Sequence, residues 1–485
     1  MSKFTELSHY KEKTIYKLLP FKFDRLNKDE YILTNMVGEY QILKSRDFLR
    51  FTNKELGSND SVYGDLRSKH FLYYEHEQSP KELLALKYRT KYSHLANFTN
   101  LHIFVVTLRC DHSCPYCQVS RQSENKDAFD MTEAIADKAI DFTFRSPNEA
   151  IKIEFQGGEP LLNFELIKYI VLKAKKINET QKRELEFVIA TTLSLVTDEI
   201  LEFCKEHHIL LSSSLDGSRD LHNTNRPRKG NNSYEKFIEG LEKARNALGH
   251  DNVSALMTTT DNSLNKVTQI IDEYVELEFN GIFLRSLSPF GFAIKTKKYL
   301  EYGVDNWLKF YKEGLHHIIE LNKRGIKFTE FYTATILSKV LTNSDSGYVD
   351  LMTPSGSGIA AIVLNYDAKV YASDESRMLA EMGDETFCLG NLLDNTYEGI
   401  ILSEKLLNVL EDSFTLSVPQ CSDCAFEPYC GTDPIYHHAV YKDIIGRKPS
   451  SSFCKKNMSI FKHLIGLMEN DSEVKNIFLG WANRC

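Results

Sequence analysis

Long apolar runs are missing from this 485-residue chain. No stretch approaches the roughly eighteen uninterrupted apolar residues that a membrane-spanning helix requires. The opening residues, MSKFTELSHYKEKTIYK, are charged throughout and lack the apolar core of an export signal. Basic charge is also in short supply. With 59 Lys and Arg against 67 Asp and Glu the net charge is -8, so no global positive field is available to hold nucleic acid or anionic lipid. These absences predict a soluble, cytoplasmic protein with no nucleic-acid or membrane partner. General disorder is excluded by a 42% hydrophobic content that includes 29 Phe and 24 Tyr. The length exceeds what one core fills and predicts two or three units.

What the chain does have is ten cysteines. In a cytosolic protein, where thiols stay reduced, they read as metal ligands or reactive thiols rather than disulfides. Cys110, Cys114 and Cys117 form one cluster; Cys421, Cys424 and Cys430 form a second, with Cys454 further on. Cys204, Cys388 and Cys485 stand apart and read as incidental, Cys388 as a free core cysteine.

From Leu101 onward, apolar runs alternate with amphipathic helical patterns. LHIFVVTL precedes MTEAIADKAIDFTF, IKIEF precedes FELIKYIVLKAKKI, and ELEFVIATT precedes TDEILEFCKEHH. ILLSSSL, VSALMTTT and GIFLRSL open three further pairs. Six strand–helix pairs with short loops predict an α/β fold, a parallel barrel or open barrel, with the active rim in the loops after the strands. The first hundred residues differ in character and predict a small α+β module with a hairpin at Val37, Gly38 and Glu39. Beyond about Lys339 the periodicity dissolves into turn signals and cysteines. That tail is expected to fold around metal, with little hydrophobic core of its own.

The first strand runs straight into RCDHSCPYC, so Cys110, Cys114 and Cys117 fall in the loop at its C-terminal end. Three thiolates at C-x3-C-x2-C spacing suit a cubane iron–sulfur cluster with one iron left open. A zinc loop borrowing His112 is the alternative, although zinc sites favour paired C-x2-C units. The second strand ends in QGGEP, which places Gly157, Gly158, Glu159 and Pro160 at the same rim. Glycines there permit close approach to the backbone, and Glu159 can fix a cationic amino group.

With these motifs on consecutive strands, the chain resembles the radical S-adenosylmethionine (SAM) enzymes. The resemblance implies a [4Fe-4S] cluster whose open iron chelates SAM. It also implies reductive cleavage of SAM to a 5'-deoxyadenosyl radical that abstracts a substrate hydrogen. Tyr116 matches the family's aromatic position against the adenine, and Thr191 and Thr192 a polar ribose contact. Ser214 and Asp216 of SLDG reach the rim, with Arg226 available for the SAM carboxylate. Each of these positions also suits a packing, capping or turn residue.

The tail, CSDCAFEPYCGTDP followed later by SSFC, resembles the SPASM auxiliary-cluster domain of peptide-modifying radical SAM enzymes. Cys421, Cys424, Cys430 and Cys454 match its C-x2-C-x5-C and distant cysteine, whereas Pro434 and Ser373 fall where ligands are expected. The resemblance therefore implies one auxiliary [4Fe-4S] cluster rather than two, with four-thiolate zinc as the alternative. Asp374 sits where formylglycine-forming relatives carry a catalytic Asp, and a solvated loop carboxylate is the other reading. His437 and His438 read as packing residues.

The strings LLPFKF, YASDESRMLAEMGDETF and CGTDPIYHH resemble the HxsB-type maturases of His-Xaa-Ser peptide systems. That family implies a ribosomally made precursor peptide with His-Xaa-Ser repeats, a companion radical SAM maturase and a small partner protein; a flavodoxin- or ferredoxin-type donor would supply electrons. The resulting expectation is a partial (β/α)6 TIM-like radical SAM barrel over residues 99–335. It is preceded by a winged-helix-like peptide-recognition module over 1–98 and followed by a SPASM-like iron–sulfur domain over 336–485. A leader segment would add at a sheet edge near Tyr31 to Leu43. Alternatives are an anaerobic sulfatase-type maturase forming formylglycine, and a non-catalytic zinc or iron–sulfur scaffold.

Overall fold

The computed structural model describes residues 15–295, 299, 302–342 and 347–483. The stretch up to residue 14 and Cys485 lie outside them. Among the described residues no helix is long and apolar enough to cross a membrane.

Five of the six expected strand–helix pairs build one parallel sheet. Its strands run Val253–Leu256, Leu210–Ser214, Glu184–Thr191, Ala150–Gly157 and Leu101–Thr107 in spatial order. Leu101–Thr107 is buried along almost its whole length, as its unbroken apolar run requires of a strand covered on both faces. Ala150–Gly157 alternates instead, with Ile151, Ile153 and Phe155 inward. The following helices bury one stripe each: Leu166, Ile167, Ile170, Val171 and Ala174 of Phe164–Gln181 recur at helical spacing. Thr132 and Thr197 cap their helices by accepting the amides of Ile135 and Ile200.

The sixth pair departs from expectation in length. Only Gly281–Ile282 is strand, paired in parallel with Thr329–Glu330 in a separate two-stranded sheet. The cause is local. The buried Glu330 carboxylate takes the amide of Leu284 at 3.0 Å, in place of a ladder partner. The barrel is accordingly open. Its first strand pairs on the far side with Ala361–Leu364, in parallel, which continues into the antiparallel strands Lys369–Tyr371 and Cys388–Asn391.

The tail corrects one expectation. Helices Ser452–Asn470 and Ser472–Ala482 bury Ile460, Phe461, Leu464, Ile465, Phe478 and Trp481 in the core shared with the barrel. Burial of such side chains contributes about 1.5–3 kcal/mol each, so the tail does not rest on metal alone.

Residues 21–91 form an antiparallel sheet of Phe21–Arg25, Glu30–Asn35 and Tyr40–Lys44, followed by helices Ser45–Thr52, Tyr63–Ser68 and Ser79–Lys91. Leu33, Leu43, Phe51, Leu66 and Phe71 make its own core. The expected hairpin is present: Gly38 takes φ +93°, and Asn35 Oδ1 accepts the amides of Val37 and Glu39. Tyr31, however, lies on the middle strand and is paired on both sides; the edges are Phe21–Arg25 and Tyr40–Lys44. The module docks on the cysteine-bearing tail. Thr34 donates to the Ala425 carbonyl at 2.6 Å, Tyr429 Oη to the Gly38 carbonyl at 2.6 Å, and Lys22 pairs with buried Glu427 at 2.9 Å.

Candidate active site

The loop after the first strand is clamped from both sides. Arg109 donates through Nε and Nη2 to the two Asp130 oxygens, both at 2.7 Å, and through Nη2 to the Leu162 carbonyl. On the other flank the Ser113 amide donates to the Pro227 carbonyl at 2.7 Å. Between these clamps Cys110, Cys114 and Cys117 are half-buried. Burial raises the Cys110 thiol and pushes Cys114 up to about 12.

Gly157 and Gly158 have a reason the sequence did not reveal. A Cβ on Gly157 would lie 2.0 Å from the Thr107 carbonyl oxygen, and one on Gly158 2.2 Å from that of Arg109. The missing side chains admit the first strand's own backbone and bring the two loops together. The amides of Gly158 and Glu159 then donate to Thr107 and Arg109 at 2.9 and 2.8 Å. Glu159 is 0% exposed and fully engaged. One oxygen accepts Leu161 N and Thr191 Oγ1, the other Thr192 N and Thr192 Oγ1, all at 2.7–3.1 Å. Its carboxylate thus ties the second loop to the end of the third strand, with its pKa raised by burial. Pro160 opens the short turn that follows.

Around the cysteine loop the remaining candidates form a chain of contacts. Asp216, 0% exposed, accepts Tyr116 Oη at 2.6 Å and Arg226 Nη2 at 3.1 Å, and the Arg226 guanidinium lies 5.6 Å from the Tyr116 ring centroid. Asp216 therefore holds Tyr116 and Arg226 beside Cys114. Ser214 ends the fourth strand, half-buried. His112 is held by Asp111 at 2.7 Å and Ser233 at 2.8 Å through its two ring nitrogens. Both ring nitrogens are thus engaged by hydrogen bonds.

In the tail, Cys421, Cys424, Cys430 and Cys454 all line one cavity of about 320 Å³, closed on one side by Phe23 and Asp24 of the N-terminal module. Phe426 N donates to Cys424 Sγ and Asn457 Nδ2 to Cys430 Sγ, both at 3.4 Å. Buried Lys448 sits in the field of Cys421, Cys430 and Cys454. His437 is fixed between the Asp433 carbonyl and Ser451, and His438 lies against Asp384. Cys204 and Cys388 lie in apolar packing away from both clusters.

The spacing of the thiols bears on the choice of metal. A tetrahedral zinc ion with bonds of about 2.3 Å holds its sulfurs about 3.8 Å apart. Among the described residues the one trio of Cys, His, Asp or Glu donors within 4.8 Å of one another is Cys110, Asp111 and His112, whose side chains are already hydrogen-bonded. Among the described residues, no three thiols of either cysteine group lie within 4.8 Å of one another.

Asp374 lies outside both cysteine groups. It begins the helix Asp374–Ala380 that Ser373 caps, and Arg377, 1% exposed, donates to its Oδ1 at 3.3 and 3.4 Å. Its carboxylate is bound into an ion pair. Its neighbour Glu375 lines a different cavity, which the sequence did not point to. About 250 Å³ in volume, this cavity lies between residues 283–290 and the tail, with Arg285, Asp350, Asp433 and Lys456 also in its walls.

Residues 104–274 match the family described as the Radical SAM superfamily. Identity of 39% runs over 116 residues shared with an uncharacterised protein of Methanocaldococcus jannaschii. That match takes in 24% of this chain and 38% of that protein, so the chain spans little more than a third of that relative. The radical SAM cyclopropyl synthase TigE of Paramaledivibacter caminithermalis is 21% identical over 86% of this chain and 81% of its own. Two solved structures share the fold. One, titled native anSMEcpe with bound AdoMet and Cp18Cys peptide, has a TM-score of 0.63 at 18% identity, covering 78% of this chain and 99% of that one. The other is Streptococcus suis SuiB bound to precursor peptide SuiA, with a TM-score of 0.53 at 13% identity over 90% and 98%.

Proposed function

Because residues 104–274 form a radical SAM domain, whose cofactors are SAM and a [4Fe-4S] cluster, we propose that this chain modifies a ribosomally made precursor peptide. The finer assignment we propose is an HxsB-type maturase acting on His-Xaa-Ser repeats. The observation that carries the coarser reading is the packing of the three-cysteine loop against Gly157 and Gly158 at the barrel mouth. The peptide reading draws on the two peptide-bound structures with which the fold is shared, and on the module docked beside the second cysteine group.

In this reading Cys110, Cys114 and Cys117 hold the [4Fe-4S] cluster, and Cys421, Cys424, Cys430 and Cys454 hold one auxiliary cluster. When bound, the cluster and SAM together supply a 5'-deoxyadenosyl radical able to abstract hydrogen from an unactivated carbon. The chain's own work is placement. Asp130 and Leu162 fix Arg109 and with it the start of the cysteine loop. Glu159, through Thr191 and Thr192, sets the height of the neighbouring loop, and Pro160 fixes its exit. Asp216 fixes Tyr116 and Arg226, which would face the adenine and the carboxylate of SAM; Ser214 would offer a hydroxyl at the rim, and Thr192, whose hydroxyl is held by Glu159, would contribute through its placement there. The thiols are half-buried, which limits water around any cluster they would hold.

The N-terminal module takes the leader as an added strand along Tyr40–Lys44, whose preceding residue Glu39 pairs with Lys87 of helix Ser79–Lys91. Holding the leader raises the effective concentration of the core segment at the barrel mouth. A flavodoxin- or ferredoxin-type donor and a companion maturase complete the proposed partners.

The test is anaerobic co-expression with a candidate precursor. Mass spectrometry should show a peptide mass change that depends on this protein and disappears in the Cys110→Ala, Cys114→Ala, Cys117→Ala variant. About eight irons per chain are expected for two cubanes. An unaltered precursor beside a protein that cleaves SAM would remove the His-Xaa-Ser assignment and leave the radical chemistry standing.

A further inference from the structure

The cavity of about 250 Å³ between residues 283–290 and the tail is smaller than the roughly 300–1,000 Å³ that takes a drug-sized ligand, and suits one side chain. Its wall segment is tied to the cysteine loop. The wall segment continues into Phe292, whose amide donates to the Cys117 carbonyl at 2.8 Å, and Gln118 Nε2 donates to the Ser288 carbonyl at 3.4 Å.

Its lining combines aromatic rings with charges that lack close partners. Lys456 Nζ lies 5.4, 5.7 and 5.8 Å from the ring centroids of Phe453, Tyr332 and Trp307, and makes no ion pair among the described residues. Arg285 approaches Glu375 only to 3.5 Å. Trp307 is 1% exposed and its indole Nε1 has no hydrogen-bond partner. The walls therefore offer donors on Lys456, Arg285 and Trp307, and acceptors on Asp350 and Glu375. A hydrocarbon side chain would leave the Trp307 indole without a partner and Lys456, Asp350 and the loosely paired Arg285 and Glu375 short of hydrogen bonds in a low-dielectric site.

Resting on the reading above, we propose that this cavity receives the peptide's target side chain and selects a planar group that both donates and accepts hydrogen bonds, an imidazole or a carboxamide. Glu375, not Asp374, is the carboxyl group that meets it. Asp374 is occupied by Arg377, which also donates to the Val119 carbonyl. Burial, together with the Asp350 and Asp374 carboxylates and against the pull of Arg285, raises Glu375 to about 7. Near neutrality that carboxyl group can itself donate or accept, matching either orientation of an imidazole.

Saturation-transfer NMR on the full chain, reconstituted anaerobically, tests this with three probes, the N-acetyl methylamides of histidine, asparagine and leucine. The histidine and asparagine probes are expected to bind at least about tenfold more tightly than the leucine probe. Glu375→Leu should remove most of that preference, and Lys456→Met provides the same test should the first variant fail to fold. Equal binding of the leucine probe, or a preference that survives both substitutions, overturns the assignment. SAM cleavage by the unsubstituted protein is measured in parallel. Its absence sinks the enzyme reading, whereas its presence with no probe preference sinks the pocket assignment alone.

Discussion

Replacing Gly158 with Ala probes the contact on which the site depends. The new Cβ would stand 2.2 Å from the Arg109 carbonyl oxygen and 2.7 Å from that of Leu108, against the 3.0–3.4 Å at which even tight real contacts begin. The two loops must therefore part by about 0.8–1.2 Å. They cannot part freely. Asp130 grips the Arg109 side chain with two bonds of 2.7 Å, and the Arg109 carbonyl accepts the Glu159 amide at 2.8 Å. Overpacking of this kind costs about 1–3 kcal/mol. A displacement of about 1 Å at a reacting centre lowers rate about a hundredfold. The variant should keep its fold by circular dichroism, lose a few degrees of thermal stability, and cleave SAM about a hundredfold more slowly than the parent. Gly64→Ala is the control, since its Cβ meets nothing within 4 Å and its helix gains from the change. Wild-type cleavage by Gly158→Ala would refute the close-approach argument.

Asp216→Asn removes the charge that balances buried Arg226, and should cost about 3–5 kcal/mol in urea denaturation. Glu427→Gln weakens the pairing of Lys22 with a carboxylate whose side chain is 2% exposed; amide exchange in residues 15–91 should accelerate while the barrel strands stay protected. Acid should destabilise the fold through two buried imidazoles, His102 and His222, depressed by burial to about 4 and about 3 from an unfolded value of 6.5. Because the folded state resists protonation, this stability is complete above 6.5 and drains as pH falls toward the folded values. The loss is about 2 kcal/mol per group between pH 7.5 and 5. His102→Gln should flatten that slope, and an unchanged slope in urea midpoints would contradict the assignment.

The barrel was legible because each strand and helix carries its own periodicity, and the cysteine loop because its spacing is local in sequence. What escaped was set by contacts distant along the chain. Glu159 reads as a group for a ligand, and its ties to Thr191 and Thr192, about thirty residues on, are invisible in the sequence. Gly157 and Gly158 read as room for a cofactor, and their close approach to the backbone of Thr107, Leu108 and Arg109 is equally invisible in the sequence. The short sixth strand depends on Glu330 reaching back to Leu284. The Glu375 cavity gathers Arg285, Asp350, Asp433 and Lys456 from four separate segments, and no spacing rule connects them. The tail's shared core was the missed signal that could have been found, since SIFKHLIGLM carries a plain helical stripe.

The most direct test is the fate of SAM in the anaerobically reconstituted, reduced protein. The parent chain should yield 5'-deoxyadenosine and the Cys110→Ala, Cys114→Ala, Cys117→Ala variant none, while the variant keeps the iron of the tail cluster. Bound zinc in place of iron, or undiminished 5'-deoxyadenosine from the triple variant, would contradict this expectation.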